Sequence, residues 1–286
     1  LHNHETEKAA MSGTTPEANN RRVPPPSFGD GISDNERPSY SLAASAPFPL
    51  RVPPGGPATL HDKRELILLG GGGLARELIG YSEGSLAVED DYTDAKPIRV
   101  IGVLDDGMDE GDYVGGVPVL GKMTDAQRIA EEKPDVRFVL AISAPHTYKY
   151  RPQVIQRAGL DRDRYATFLM PGAHLVPSVR IGRGVVLFPG VVIGTNAVIE
   201  DHVQIWPNVV VSHDCRLAQY TTLASSVSLN GVVRVGRGAY IGSGALVREG
   251  LNIGEDALVG MGAVVLRDVD PGTVVVGNPA RYLRDI

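Results

Sequence analysis

One apolar position recurs every six residues through the C-terminal part of the chain. The series runs from Leu175 to Val265 without a miss. A second series, four residues after each member of the first, is mostly small or apolar, and glycine often follows the first series, as in IGRGVV and IGSGAL. Neither helical periodicity nor strand alternation gives a period of six. The pattern predicts a parallel β-helix in which each hexapeptide forms one short strand and one turn.

The usual form of this hexapeptide pattern is a left-handed triangular prism with three hexapeptides in each coil. The left-handedness is taken from resemblance to this usual form, because a period of six does not by itself fix the hand of the coil. Positions that are three hexapeptides apart should then stack on successive coils at the ordinary strand spacing of about 4.8 Å. Cys215 falls in the small inward series and is expected in the core. Trp206 is expected outside at a corner, with no function assigned to it.

A His-Asp pair interrupts the apolar repeat in the stretch VVVSHDCRLA. His213 precedes Gly231 by three hexapeptides, so the imidazole is predicted to lie one coil from that glycine. Imidazole can act as a general base, and a glycine amide can stabilise an oxyanion. Asp214, or another carboxylate from a neighbouring chain, can hold the tautomer of the imidazole and support its charge. The spacing favours acyl transfer, whereas a histidine without these neighbours would be an inert corner residue.

Residues 63–172 show strands that alternate with helices, which predicts a small parallel sheet of Rossmann-like α/β type. A glycine cluster at residues 70–73 lies between an apolar strand and a helical pattern, an arrangement that suits phosphate. The second strand ends at Asp105 and Asp106, and the third is followed by Ser143. The C-terminal ends of parallel strands share one edge, where such sheets bind ligands. These polar positions are therefore predicted to meet at that edge.

The chain has 286 residues, a formal net charge of −6 and one cysteine. The charge argues against nucleic acid and an anionic membrane surface as partners, and the single cysteine excludes an intrachain disulfide. No apolar run approaches the roughly 20 residues of a membrane-spanning helix, so a cytoplasmic protein is expected. Residues 1–62, rich in Pro, Ser, Asn and Gly, are predicted to be a disordered arm. The β-helix is assigned to residues 173–271 and a C-terminal tail to residues 272–286.

The motifs together resemble those of the bacterial hexapeptide-repeat sugar acetyltransferases, the group of bacillosamine-pathway and perosamine N-acetyltransferases and sialic acid O-acetyltransferases. The resemblance covers nearly everything from Arg64 to Leu283 and is carried by LILLGGGG, GVLDD, VLAIS, SHDC and VVVGNPARYL. It implies an α/β domain that holds a nucleotide-linked amino sugar, followed by a left-handed β-helix that binds acetyl-CoA between the subunits of a homotrimer. No metal is implied.

The resemblance also implies a role for individual residues. His213 matches the catalytic base of the family, Asp214 its acidic companion, and Gly231 the glycine whose amide faces the acetyl carbonyl. The positions implied for acetyl-CoA are Ser243, Met261, Gly262, Pro279 and Arg281. The positions assigned to the nucleotide sugar are Gly70, Gly71, Gly72, Asp105, Asp106 and Ser143. Two departures are visible, because GGGGLAR lacks the His or Ser of the family's glycine loop, and Thr222 replaces a His that some relatives carry.

These observations favour an acetyl-CoA-dependent N-acetyltransferase that acts on the 4-amino group of a nucleotide-linked amino-deoxysugar. Three alternatives stay open at this point: O-acetylation of a sugar hydroxyl, a non-catalytic trimeric binding platform, and a zinc-dependent hydratase. The hydratase would need its histidines to meet. The spacings between His174, His202 and His213 are not whole numbers of coils, so these histidines cannot stack on one face of one chain.

Overall fold

A computed structural model describes residues 63–89 and 95–286 of the chain. The arm predicted for residues 1–62 lies outside these residues. Among the described residues, the α/β region contains six strands and three helices: β1 (Arg64–Leu69), α1 (Gly73–Gly80), β2 (Leu86–Val88), β3 (Lys96–Leu104), β4 (Tyr113–Val114), β5 (Val117–Gly121), α2 (Ala126–Glu132), β6 (Arg137–Leu140) and α3 (Arg151–Ala158). Short 3₁₀ turns occupy Met123–Asp125, Tyr148–Tyr150 and Arg162–Arg164.

The three strands predicted for this region lie side by side. Strand β1 is parallel to both β3 and β6, and β5 extends the sheet in parallel beyond β3. Four consecutive residues of β1, from Leu66 to Leu69, are fully buried because both faces of the strand are covered. The glycine cluster, Asp105 and Ser143 therefore follow neighbouring strand ends. Residues 107–115 include β4, which forms a hairpin with β5.

The hexapeptides form short strands, most of two residues, on three faces. Face 1 contains β7 (Thr167–Leu169), β10 (Val186–Leu187), β13 (Gln204–Ile205), β16 (Thr222–Leu223), β19 (Tyr240–Ile241) and β22 (Leu258–Val259). Face 2 contains β8 (His174–Leu175), β11 (Val192–Ile193), β14 (Val210–Val211), β17 (Ser228–Leu229), β20 (Leu246–Val247) and β23 (Val264–Val265). Face 3 contains β9 (Arg180–Ile181), β12 (Val198–Ile199), β15 (Arg216–Leu217), β18 (Arg234–Val235) and β21 (Asn252–Ile253).

The predicted coil of three hexapeptides is confirmed by the strand register. Val186 pairs with Gln204, and Gln204 pairs with Thr222, in parallel ladders that repeat on every face. This arrangement fits a left-handed parallel β-helix. The apolar series that defines the period points inward, and all of its members are buried except Ile181, which is half-buried. Cys215 is buried as expected.

The corners of the coils impose their own requirement on the sequence. A left-handed backbone recurs in steps of one hexapeptide or a multiple of it, and glycine occupies many of these positions. Where it does not, the residues with positive φ are Asn196, His202, Asn208, Asp214, Tyr220, Ser226, Val232 and Asp256. Asn and Asp tolerate this conformation better than other side chains, because their short polar groups bond locally. Asp214 therefore turns the chain at its corner.

The sheet of face 1 continues into the α/β region. Strand β7 is parallel to β10 and antiparallel to β2, and β2 is antiparallel to β3. At the other end, β24 (Thr273–Val276) pairs with β22, and β25 (Arg281–Asp285) pairs antiparallel with β24. The division into domains at residues 172 and 271 stays a prediction.

The segment that leads from β6 into α3 packs against face 1. Tyr148 is buried, and its ring lies 5.2 Å from that of Tyr240. The fully buried Arg151 donates from Nε to the Tyr148 carbonyl at 3.2 Å. Burial lowers the pKa of Arg151 to about 9. These contacts place residues 143–150 beside the coils.

Candidate active site

His213 and Asp214 lie at the corner between β14 on face 2 and β15 on face 3. Asp214 takes the left-handed conformation there, with φ of 57°. Both side chains project from the coil, with 62% of the His213 side chain and 49% of the Asp214 side chain exposed. The pair is therefore open to a ligand, whereas the next residue, Cys215, turns into the core.

The two side chains bond to each other. His213 Nδ1 lies 2.8 Å from Asp214 Oδ2, and Asn196 Nδ2 donates to Asp214 Oδ1 at 3.2 Å. The hydrogen bond from His213, followed by the one from Asn196, lowers the pKa of Asp214. An ionised carboxylate only accepts hydrogen bonds, so Nδ1 carries the hydrogen and Nε2 is left to act on a substrate.

Gly231 meets the imidazole from the next coil. A Cβ built on this glycine would lie 2.5 Å from His213 Nε2 and 2.6 Å from Cε1, so a side chain here would force the imidazole to move. The Val232 N–H donates to the His213 carbonyl at 2.9 Å and fixes the two corners together. The Gly231 N–H donates to no acceptor among residues 63–89 and 95–286. The predicted stacking is present, and the arrangement can combine a base with an oxyanion donor.

A cleft of about 710 Å³ lies between the α/β region and face 1. Its α/β wall contains Gly70, Gly72 and Gly73, and Asp105 and Ser143 also line it. Helix α1 begins at Gly73, so its free N-terminal amides are at this wall. The cleft therefore brings together most of the positions that the sequence assigned to the nucleotide sugar.

Asp105 contacts the glycine loop directly. Its Oδ2 accepts from the Gly71 N–H at 2.6 Å, and its Oδ1 accepts from the Gly107 N–H at 2.8 Å. Gly71 does not line the cleft, although it belongs to the loop. Asp105 thus holds the loop in shape, which gives it a structural role beside any contact with a ligand.

Asp106 does not line the cleft. Its Oδ2 pairs with Arg157 at 2.9 Å, and its Oδ1 accepts from the Met123 N–H at 3.1 Å at the start of the following turn. The sequence placed Asp106 with the substrate residues, and the structure does not bring it there. Its bonds tie α3 and the 3₁₀ turn to the sheet.

Sequence reasoning missed several residues of the cleft. Trp206, expected outside with no function, is half-buried and lines the coil wall, and its Nε1 donates to Ser143 Oγ at 3.1 Å. The only available signal was a lone tryptophan at the glycine position of a hexapeptide. Other lining residues that were missed include Glu77, His146, Tyr150, Ala224, Ser225 and Tyr240.

The positions implied for acetyl-CoA are distributed along the coils. Ser243 lines the cleft at the corner between faces 1 and 2. Met261 is 78% exposed and follows Ser243 by one coil, at the same corner. Gly262 is next to it, Pro279 is nearer the C-terminus, and Arg281 lines a smaller cavity of about 180 Å³. Within one chain, the cleft and His213 thus occupy different corners.

Among the described residues, no group of three or more His, Cys, Asp or Glu side chains is placed to hold a metal ion. In the same residues, no helix is long and apolar enough to cross a membrane.

Solved structures similar to this chain include acetyltransferases. One of them is a variant of GDP-perosamine N-acetyltransferase from Caulobacter crescentus, in complex with CoA and GDP-perosamine. It is 31% identical to this chain, and the alignment covers 77% of this chain and 97% of the Caulobacter chain with a TM-score of 0.66. The acetyltransferase domain of PglB from Neisseria gonorrhoeae, in complex with acetyl coenzyme A, is 27% identical over 77% of this chain and 100% of its own, with a TM-score of 0.63. WeeI from Acinetobacter baumannii is 26% identical to this chain, and the alignment covers 76% of this chain and 99% of WeeI with a TM-score of 0.56.

No protein-family model and no curated protein matches the chain. The identity with the Caulobacter enzyme extends over almost the whole of that enzyme. The chain therefore belongs to the family of hexapeptide-repeat nucleotide-sugar acetyltransferases, and it is an acyltransferase.

Proposed function

We propose that this chain transfers the acetyl group of acetyl-CoA to the 4-amino group of a nucleotide-linked amino-deoxysugar. The main support for this proposal is the geometry of the His213 imidazole, which is hydrogen-bonded to Asp214 through Nδ1 and packs against Gly231. The binding of CoA and GDP-perosamine by the similar Caulobacter enzyme supports both substrates.

In the proposed reaction, His213 Nε2 takes a proton from the sugar amine as its nitrogen bonds to the thioester carbonyl carbon. The Gly231 N–H donates to the oxygen that becomes negative at that carbonyl. Asp214 supports the imidazolium charge. As the carbon–sulfur bond breaks, the imidazolium returns the proton to the departing CoA thiolate. Proton transfer by a positioned side chain of this kind contributes about 10²- to 10⁴-fold to a rate.

The cleft provides a place for the nucleotide. Gly70, Gly72 and Gly73 present backbone at the N-terminus of α1, where the helix dipole and unpaired amides favour a diphosphate. The parallel order of β5, β3, β1 and β6 supports a Rossmann-like domain, which binds ligands at the C-terminal edge of its strands. Ser143 and Asp105 lie at this edge.

The separation of the two corners supports a homotrimer. Face 2 lies between the Ser243 corner and the His213 corner, and its exposed column includes Val192, Val210 and Leu246, each between 40% and 48% exposed. An apolar column on a sheet face fits burial by a second copy. In this arrangement, His213 of one copy serves the cleft of its neighbour. Acetyl-CoA lies between them along Ser243, Met261, Gly262, Pro279 and Arg281.

The test is the release of CoA from acetyl-CoA, followed with a thiol reagent. The acceptors are UDP-, dTDP- and GDP-linked 4-amino-4,6-dideoxyhexoses and the matching 4-hydroxy sugars. We expect turnover with one of the amino sugars and a rate that falls at low pH as the amine becomes protonated. Turnover with hydroxy sugars alone would replace N-acetylation by O-acetylation. The absence of turnover and of any stabilisation by acetyl-CoA would overturn the proposal.

A further inference from the structure

Trp206 is the only tryptophan of the chain, and the structure holds its ring firmly at the cleft. One face of the indole stacks on Phe188, with ring centroids 4.8 Å apart and an angle of 8° between the planes. Phe188 is in turn packed edge-on against Tyr81 at 5.9 Å. The Trp206 Nε1 donates to Ser143 Oγ at 3.1 Å. The ring is half-buried and lines the cleft.

The position of Trp206 determines which part of a nucleotide sugar can reach it. The diphosphate belongs at the glycine loop on the α/β wall, whereas Trp206 is on the coil wall with Ala224, one coil further on. Acetyl transfer takes place at the coils, so the sugar must extend from the diphosphate toward this wall. The nucleoside is attached to the other end of the diphosphate and is directed away from it.

Aromatic faces bind the C–H groups of apolar surfaces and contribute beyond their buried area. A deoxysugar carries such a surface, because a methyl group replaces its 6-hydroxymethyl group. A hydroxyl placed against the indole would lose its hydrogen bonds to water without finding a partner there. We propose that Trp206 binds the deoxysugar ring through its methyl-bearing face and selects the 6-deoxy sugar over the 6-hydroxy sugar. This inference rests on the proposed function.

Because the chain has one tryptophan, its fluorescence reports on the proposed contact without a label. The probes are GDP, UDP and dTDP, and the 4-amino-4,6-dideoxyhexose conjugate of each. We expect the conjugate of the preferred nucleotide to give a saturable change in emission, and the diphosphate alone to bind calorimetrically with little change. An equal change with the diphosphate alone would place the nucleobase on Trp206 and overturn the inference.

Variants test the selectivity. Trp206→Leu should raise the KM for the 6-deoxy acceptor by about 3- to 10-fold and reduce the preference over the 6-hydroxy acceptor by a similar factor. Trp206→Phe should retain most of the preference, and the KM for acetyl-CoA should not change in either variant. Tyr113→Leu is the matched control, because Tyr113 is 69% exposed and does not line the cleft.

An unchanged preference in a folded Trp206→Leu protein would contradict the inference while the proposed function stands. If none of the conjugates binds to the wild-type protein in the calorimeter, the proposed function and the inference both fail. Binding without turnover would contradict the proposed function, and the fluorescence titration would still decide the role of Trp206.

Discussion

Two histidines occupy corners of the same β-helix, each next to an aspartate in the sequence, and they differ in their surroundings. His202 follows Asp201, and His213 precedes Asp214. Each ring also packs against a glycine one coil away. A Cβ built on Gly184 would lie 2.5 Å from His202 Nδ1, the same distance as between a Gly231 Cβ and His213 Nε2.

The surroundings separate the two sites. The ring of His202 is stacked on Tyr220 at 5.3 Å and packed edge-on against Tyr165 at 4.7 Å, so that only 6% of the residue is exposed. Asp201 is bonded to Arg162 by both oxygens, at 2.7 and 2.8 Å. His213, in contrast, is exposed, and its carboxylate partner bonds to the imidazole itself.

The comparison shows that a His-Asp pair beside a glycine is insufficient to define a catalytic corner. Burial lowers the pKa of His202 to about 4, which keeps the imidazole neutral at physiological pH and makes it a packing residue. At His213, the carboxylate is directed at Nδ1 and Nε2 is open to a ligand. Exposure and the direction of the carboxylate decide which histidine can serve as a base.

The largest expected effect comes from His213→Ala. If His213 is the base, kcat for acetyl transfer should fall by about 10²- to 10⁴-fold, because the amine proton loses its acceptor. The melting temperature should change little, because the side chain is mostly exposed. His202→Asn is the matched variant, since Asn accepts the positive φ of this corner. A folded His213→Ala protein with wild-type kcat would remove the distinction between the two corners.

His202 should make stability depend on pH. Its pKa is about 4 in the folded protein against an ordinary 6.5, so between these values the unfolded chain binds a proton that the folded chain does not. The stabilisation is therefore complete above pH 6.5 and is lost as pH falls toward 4, by up to about 3 kcal/mol. Urea unfolding at pH 7.5 and pH 5 measures this difference. The difference in the free energy of unfolding between the two pH values should be smaller in His202→Asn than in the wild type. An equal difference in the two proteins would show that other groups cause the pH dependence.

Substitution of the two glycines should have different effects, mainly on activity at Gly231 and mainly on stability at Gly184. Gly231→Ala places a methyl group against the His213 ring, which is exposed and can move aside, so we expect kcat to fall by about 10- to 100-fold with a small loss of stability. Gly184→Ala meets a buried ring at φ of 67°, so about 1–3 kcal/mol of stability should be lost. Chemical unfolding and initial rates on both variants check this. If Gly231→Ala lost mainly stability and Gly184→Ala lost mainly activity, catalysis would belong to the His202 corner and not to the His213 corner.

The smallest effect is expected from the outer partner of Asp214. Asn196→Gly removes the 3.2 Å hydrogen bond that helps to orient the carboxylate and accepts the positive φ of this corner. In this solvent-exposed setting, kcat should fall by about 2- to 5-fold. Asp214→Asn keeps the tolerated corner conformation and removes the charge, so its effect should be larger than that of Asn196→Gly. Equal kcat values for wild type and Asp214→Asn would show that the carboxylate does not support the imidazole.

The period of six, together with the usual three hexapeptides per coil, was sufficient to predict the coils and the stacking of Gly231 on His213. A fixed inward position in every hexapeptide leaves a single register in which all apolar residues are buried. Asn196 could have been found by the same rule, because it precedes Asp214 by three hexapeptides. The site residues retain the status of predictions until variants test them.

Trp206 and His146 could not be predicted in the cleft. Their place depends on how the α/β region packs on face 1, through contacts such as Tyr148 with Tyr240, which no local pattern encodes. Asp106 shows the opposite case. A carboxylate after a strand suggested a ligand contact, but Arg157 on a helix far along the chain pairs with it.

The central claim is that His213 of one copy acts on a substrate in the cleft of another. The most direct test coexpresses His213→Ala with Gly72→Asp, each separately tagged, and measures CoA release by the doubly purified oligomer. Gly72 has open space around it and lies at the N-cap of α1, so Asp should fold there and repel a diphosphate. Each mixed trimer should have one active site in three, because only one of its junctions joins an intact His213 to an intact cleft, although each variant alone is inactive. Mixed oligomers as inactive as the single variants would contradict the claim.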